Sequence, residues 1–176
     1  MRKTLREYVF SRKELVDIVK NIKYPIDKAL ICFLYLYGCR IGEALALEKK
    51  DIKINVNEDK SKTLEATLIT EKNPDNPIRV LEVFFEREKG FVDEFLRYYR
   101  RRKGNIVFPI SRTTAWRIVK KHTGYYPHIL RHTRTTHLKR DYGLGDHDLM
   151  IWHGWKTFQT TYFHIIPKDL LEKMKR

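Results

Sequence analysis

Cysteine is scarce: Cys32 and Cys39 are the only two among 176 residues, and they form no Cys-x-x-Cys pair. A disulfide scaffold is therefore excluded, and no cluster of cysteine and histidine has zinc-ligand spacing. The two thiols read as small core residues near one helix in a reducing compartment. Long apolar runs are missing too, since none approaches the ~20 residues that cross a bilayer. Met1 leads directly into Arg2 and Lys3, so no signal peptide and no membrane partner are expected, and the expected location is cytoplasmic. Internal repeats and low-complexity linkers are absent. Acidic residues are in deficit, 22 against 36 basic ones. No carboxylate cluster suited to two Mg²⁺ ions stands out, which disfavours a two-metal nuclease; no cofactor and no metal are expected.

What is present is a basic chain with a core. The net charge of +14 points to a polyanionic partner. Aromatic residues at 12% and hydrophobic residues at 42% argue against a disordered basic tail. Charge alone does not choose the polyanion, because ribosomal proteins, RNA enzymes and membrane-surface proteins share the bias. The length suits one domain, or one large domain with a small appendage.

Local signals order the chain. Ser11-Arg12-Lys13-Glu14 reads as a capping box opening a helix with Leu15, Ile18 and Val19 inward. Pro25 starts a second helix and Gly38 stops it, and the nearly all-apolar run between them belongs inside the core. Arg40 follows at the head of a short helix through Leu47. Three alternating stretches predict an antiparallel sheet: Ile52, Ile54, Val56; Leu64, Ala66, Leu68, Thr70; Ile78, Val80, Glu82. Asn73 to Pro77 forms the turn between the second and third strands, with Lys72 at its mouth. Helical spacing resumes with Phe91, Phe95 and Tyr98/Tyr99, and residues 105–108 suit a short strand. Ser111 caps a helix with Trp116 and Val119 inward. Residues 128–142 form a further helix, and Pro167 opens an amphipathic tail. The expected fold class is mainly α with a small three-stranded antiparallel sheet, an α+β arrangement.

Arg40 and Arg131 lie on different elements and can hold both non-bridging oxygens of a phosphodiester without a metal. Guanidinium is planar, always charged and offers paired donors. His128 lies three residues before Arg131, so one helical face presents both, and it can bond a phosphate oxygen or pass a proton. Glu43, three residues after Arg40, can brace its guanidinium.

Two strings are more specific. Gly38-Cys39-Arg40-Ile41-Gly42-Glu43-Ala44-Leu45-Ala46-Leu47 resembles the first box of the tyrosine recombinase (phage integrase) family, Gly-x-Arg-x-x-Glu-x-x-x-Leu. His128-Ile129-Leu130-Arg131-His132, continuing to His137-Leu138, resembles its second box. His153 and, nine residues on, Tyr162 in Tyr162-Phe163-His164 complete the pattern. The chain departs from it at Ile151-Trp152-His153, where the family usually has Leu-Gly-His.

The resemblance spans nearly the whole chain and carries several expectations. Residues 1–176 form a single catalytic domain without the N-terminal core-binding domain of typical members. The protein is a DNA strand transferase, a site-specific recombinase or integrase of mobile DNA acting on double-stranded DNA without metal or ATP. Tyr162 is the nucleophile and forms a 3′-phosphotyrosine; Arg40, His128, Arg131 and His153 hold the phosphate. The family places its general acid, a lysine, in a hairpin turn; Lys72 matches by location, with Lys60 and Lys62 as nearby rivals. The tail 167–176 docks on a neighbouring protomer in a tetramer on DNA, or packs on its own domain. A type IB topoisomerase-like enzyme, a non-catalytic basic DNA-binding module and an RNA-binding protein are the competing readings.

Overall fold

The computed structural model describes residues 8–70 and 77–157. In chain order the elements are α1 (Arg12–Asn21), α2 (Pro25–Tyr37), α3 (Ile41–Leu45), a 3-10 turn (Lys49–Asp51), β1 (Ile52–Val56), β2 (Lys62–Ile69), β3 (Ile78–Phe84), α4 (Phe85–Arg101), α5 (Arg112–Thr123), α6 (His128–Asp141) and α7 (Asp146–His153). This is the helix-rich class with one three-stranded sheet that the sequence predicts.

The caps act as read. The Ser11 hydroxyl accepts from the Glu14 N–H, and the Glu14 carboxylate accepts from the Ser11 N–H. Pro25 takes the first helical position of α2, where its missing N–H costs nothing. Ala29 to Tyr37 are all buried, so α2 is the axis of the core and packs on α4, α6 and α5. Each large apolar side chain removed from water there contributes about 1.5–3 kcal/mol. Its tyrosines keep their hydroxyls paired: Tyr37 donates to the Leu64 carbonyl, and Tyr35 meets His137 Nδ1, each at 2.9 Å. Both cysteines are buried and unpaired, and burial pushes both thiols well above their usual range. They are packing residues, as expected.

The sheet runs β1-β2-β3, antiparallel throughout. Leu64, Ala66 and Leu68 face the core from β2. In β3 the inward set is Arg79, Leu81 and Val83, while Ile78 and Val80 are 55% and 57% exposed. This corrects the alternation read at 78, 80 and 82. Both parities of β3 carry apolar residues, so only the pairing Leu68↔Arg79, Ala66↔Leu81 and Leu64↔Val83 decides the face. Ile54 and Val56, apolar members of the first alternating stretch, are exposed on the edge strand, while Ile52 is buried. Three further readings change. Residues 105–108 supply only a bridge, Glu48↔Ile106, and no strand. Helix α3 ends at Leu45, and Leu47 instead accepts from the Val107 N–H through its carbonyl. Trp116 points outward, and Ala115, Ile118 and Val119 fill the inner face of α5. The Asn73 to Pro77 turn lies mostly outside the described residues, but its base is closed by the Thr70 N–H donating to Pro77 O at 2.6 Å.

Helix α6 is buried from Ile129 to Leu138, polar residues included. The hydroxyls of Thr135 and Thr136 bond back to the carbonyls of Arg131 and His132. Arg134 pairs with Glu88, which sits at a kink in α4 and also accepts from Arg12 Nη2 at 2.8 Å and from the Tyr142 hydroxyl. Among the described residues no helix is long and apolar enough to cross a membrane.

Candidate active site

Helix α2 stops at Gly38, which takes φ +58. A Cβ there would lie 2.8 Å from His153 Cε1, so glycine is required by both conformation and contact. The chain then turns and places Arg40 as the N-cap of α3. Glu43 holds Arg40 twice: one carboxylate oxygen accepts from its backbone N–H at 2.8 Å, the other from Nη1 at 3.1 Å. The expected brace is therefore present, and it fixes both the backbone and the guanidinium of Arg40.

Arg40 and His128 line one cavity of about 310 Å³, with Ile41, Arg112, Trp116, Tyr126 and Pro127. His128 reaches it as the first residue of α6. Arg131, one turn further on, is fully buried behind it. Its Nη1 donates to Gly38 O at 2.7 Å and its Nη2 to His153 O at 3.1 Å. Arg131 thus ties the end of α2 to the end of α7, and its guanidinium lies over the Trp155 ring at 5.7 Å.

His153 is fully buried and stacks on Trp155 with ring centroids 4.6 Å apart. Its Nε2 meets Thr135 Oγ1 at 2.8 Å. That hydroxyl gives its own proton to Arg131 O, so it accepts from Nε2–H, and Nδ1 is the unprotonated nitrogen. Nδ1 has no hydrogen-bond partner among the described residues. Burial first, then the charges of Arg131, Arg79, Arg134 and Arg40, push its pKa well below 6.5, so the ring is neutral at neutral pH.

Arg79 was not singled out from the sequence. It sits on the inward face of β3, only 4% exposed. Its Nη2 donates to Glu43 Oε2 at 2.8 Å, its Nε to Thr70 Oγ1 at 3.0 Å, and its Nη1 to Trp152 O. The signal was a charged residue in register with Leu81 and Val83. Arg112, Trp116 and Tyr126 were missed as cavity walls because α5 and the loop after it reach Arg40 only through packing against α3. The four arginines acting on His153 face two buried carboxylates, Glu43 and Glu88, so the region keeps an excess of positive charge suited to an anion. Among the described residues no three His, Cys, Asp or Glu side chains converge as metal ligands. The other two site candidates, Lys72 and Tyr162, lie outside the described residues, as does the tail 167–176.

The family model described as "Phage integrase family" matches residues 9–166. The chain belongs to that family. It is 27% identical over 169 residues to the tyrosine recombinase XerD of Bifidobacterium longum (strain NCC 2705), covering 83% of this chain and 52% of the relative. Among solved structures, the XerH site-specific recombinase bound to difH substrate superposes with a TM-score of 0.68 at 17% identity, over 99% of this chain and 55% of that one. The XerA recombinase gives 0.67 at 19%, over 95% and 62%. The Tn1549 transposon integrase in complex with circular intermediate DNA gives 0.62 at 18%, over 97% and 65%. This phage integrase family chain thus spans about half the length of its curated relative, and these structures share its fold.

Proposed function

We propose that this chain is the strand-transferring unit of a site-specific DNA recombinase or integrase. The observation that carries the reading is the convergence of Arg40 and His128 on one cationic cavity, backed by buried Arg131 and His153, in a member of the phage integrase family. The reading draws further support from relatives that are tyrosine recombinases and from a solved neighbour held with circular intermediate DNA.

In this mechanism the scissile phosphate of double-stranded DNA enters the cavity. Arg40 meets its non-bridging oxygens and His128 bonds the same group, while Arg131, buried directly behind His128, adds its positive charge from the cavity's back wall. Guanidinium charge, preorganised by Glu43 and by the Gly38 and His153 carbonyls, stabilises the charge that spreads over those oxygens in the transition state. His153 acts as a support, holding the end of α7 and the Thr135 hydroxyl against Arg131. The Tyr162 oxygen bonds to phosphorus and loses its proton, while the P–O5′ bond breaks and the O5′ takes a proton from Lys72, with Lys60 and Lys62 as its rivals. The products are a 3′-phosphotyrosine and a free 5′-hydroxyl. The reverse attack by a 5′-hydroxyl rejoins the strand, so neither ATP nor a metal ion takes part. The outward face of α5, with Arg112, Trp116 and Lys120 four residues apart, lies beside this cavity and meets the DNA backbone. Assembly on DNA, with residues 167–176 reaching a neighbouring protomer, belongs to the same proposal.

The test is covalent trapping. Wild type and Tyr162→Phe are mixed, in EDTA, with nicked duplex and with supercoiled DNA from the native replicon, and SDS-resistant adducts and relaxation are scored. An adduct from wild type alone supports the proposal. Salt-sensitive binding without an adduct from either protein points to a DNA-binding module. Relaxation of supercoiled DNA without exchange of strands between duplexes points to a topoisomerase.

A further inference from the structure

Leu81 and Val83 fill the inward positions of β3 with apolar side chains, but the third such position holds an arginine. Burying a guanidinium costs several kcal/mol unless its partners are well placed, and packing alone asks only for a leucine. The three contacts of Arg79 each go to a different element. Nη2 reaches Glu43 Oε2, the same oxygen that accepts the Arg40 backbone N–H. Nε reaches Thr70 at the end of β2, and Nη1 reaches the Trp152 carbonyl at the end of α7. The turn after α7 closes tightly over this side chain. Gly154 has φ +64, and a Cβ there would lie 2.8 Å from Arg79 Cδ and 3.1 Å from Thr70 Cγ2.

We propose that Arg79 is a positioning residue for strand transfer: through Glu43 it aims Arg40 into the cavity, and it locks that pair to the end of α7. The role rests on the recombinase reading above. Without Arg79, Glu43 keeps one cationic partner and loses the contact that fixes its carboxylate plane, so Arg40 swings with it. A misplacement of about 1 Å at a reacting group costs on the order of 100-fold in rate. Affinity for DNA depends on many phosphate contacts and changes little.

The experiment is a double-mutant cycle on single-turnover cleavage at saturating DNA, with Arg79→Met, Arg40→Ala and the double variant, alongside DNA dissociation constants. Arg79→Met is expected to slow cleavage about 10- to 100-fold with a dissociation constant within about 3-fold of wild type. The double variant is expected to match Arg40→Ala within about 3-fold, because Arg79 acts through Arg40. Additive losses, or a loss confined to DNA affinity, overturn the proposal. If Arg79→Met does not fold, Arg79→Lys, which keeps the charge and loses the fork, carries the same cycle. Hydrogen exchange on the free protein tests the tie without catalysis: Arg79→Met should lose protection at residues 40–46 and 152–155 together, and unchanged protection there overturns it. An inactive wild type removes the recombinase reading and the positioning role with it, and the exchange experiment then decides only whether Arg79 ties α3 to the end of α7.

Discussion

Arg134 lies one turn beyond Arg131 on α6 and meets Glu88 at the kink of α4, and the pair shows what a cationic interior requires of single residues. Arg134 is buried with Glu88 as its counter-charge, and its guanidinium lies 5.4, 5.3 and 5.6 Å from the ring centroids of Tyr35, Tyr142 and Trp152. Glu88→Gln keeps the shape and removes the charge. It is expected to cost about 3–5 kcal/mol at pH 7, because it leaves a buried cation uncompensated; chemical denaturation measures it, and a loss under about 1 kcal/mol contradicts the pairing. Burial alone raises the Glu88 carboxyl, but Arg134, Tyr142 and Arg12 outweigh it and hold it below 4.5. Its folded pKa is thus depressed, so its stabilisation is fully present above 4.5 and is lost as pH falls through the lower folded value. The wild-type advantage over Glu88→Gln therefore narrows in acid. At this scale the sequence singles out Arg40, Glu43 and His128 because each sits in a local string beside a helix start, and the structure brings Arg40 and His128 to one cavity with Glu43 bonded to Arg40. The sequence does not show Arg79 or Glu88, whose partners lie 36 and 46 residues away on other elements.

Helices were legible as elements because their signals are local. The Ser11 box, Pro25, Gly38 and Ser111 act where they stand. Faces were harder. Trp116 is apolar enough to suit the core, yet α5 turns it to the cavity mouth beside Tyr126, with ring centroids 5.5 Å apart. β3 is apolar on both sides, so its pairing with β2 alone chose which side is buried. The junction of α2 and α3 is the element on which Arg40 depends. Gly38→Ala is expected to destabilise the protein by about 1–3 kcal/mol through the left-handed backbone alone, with a further loss from the contact with His153. Thermal unfolding reads this, and a midpoint unchanged from wild type contradicts the account of the junction.

At the scale of the whole molecule, two buried histidines make stability depend on pH above the carboxylate range. Burial pushes His137 down to about 4, with Arg140 and Arg134 adding to the shift and Asp141 opposing it, and His153 well below 6.5. The unfolded chain binds protons at these groups near 6.5 and the folded chain does not. Stability is therefore highest above 6.5 and falls as pH drops from there toward the folded values. For His137 the loss at pH 5 relative to pH 7 is on the order of 2 kcal/mol, and His153 adds a loss of the same sign. Denaturation midpoints of wild type and of the His137→Gln, His153→Gln double variant measure it. A wild-type curve flat from pH 7 to 5 contradicts the buried neutral assignment. The measurement that bears most directly on the central claim is mass spectrometry of a trapped adduct. The tryptic peptide 157–168 should carry a nucleotide joined through its 3′-phosphate to Tyr162, with a 5′-hydroxyl on the released strand. Attachment at another residue, a 5′-linked nucleotide, or tight DNA binding with no linked peptide contradicts the proposed strand transfer.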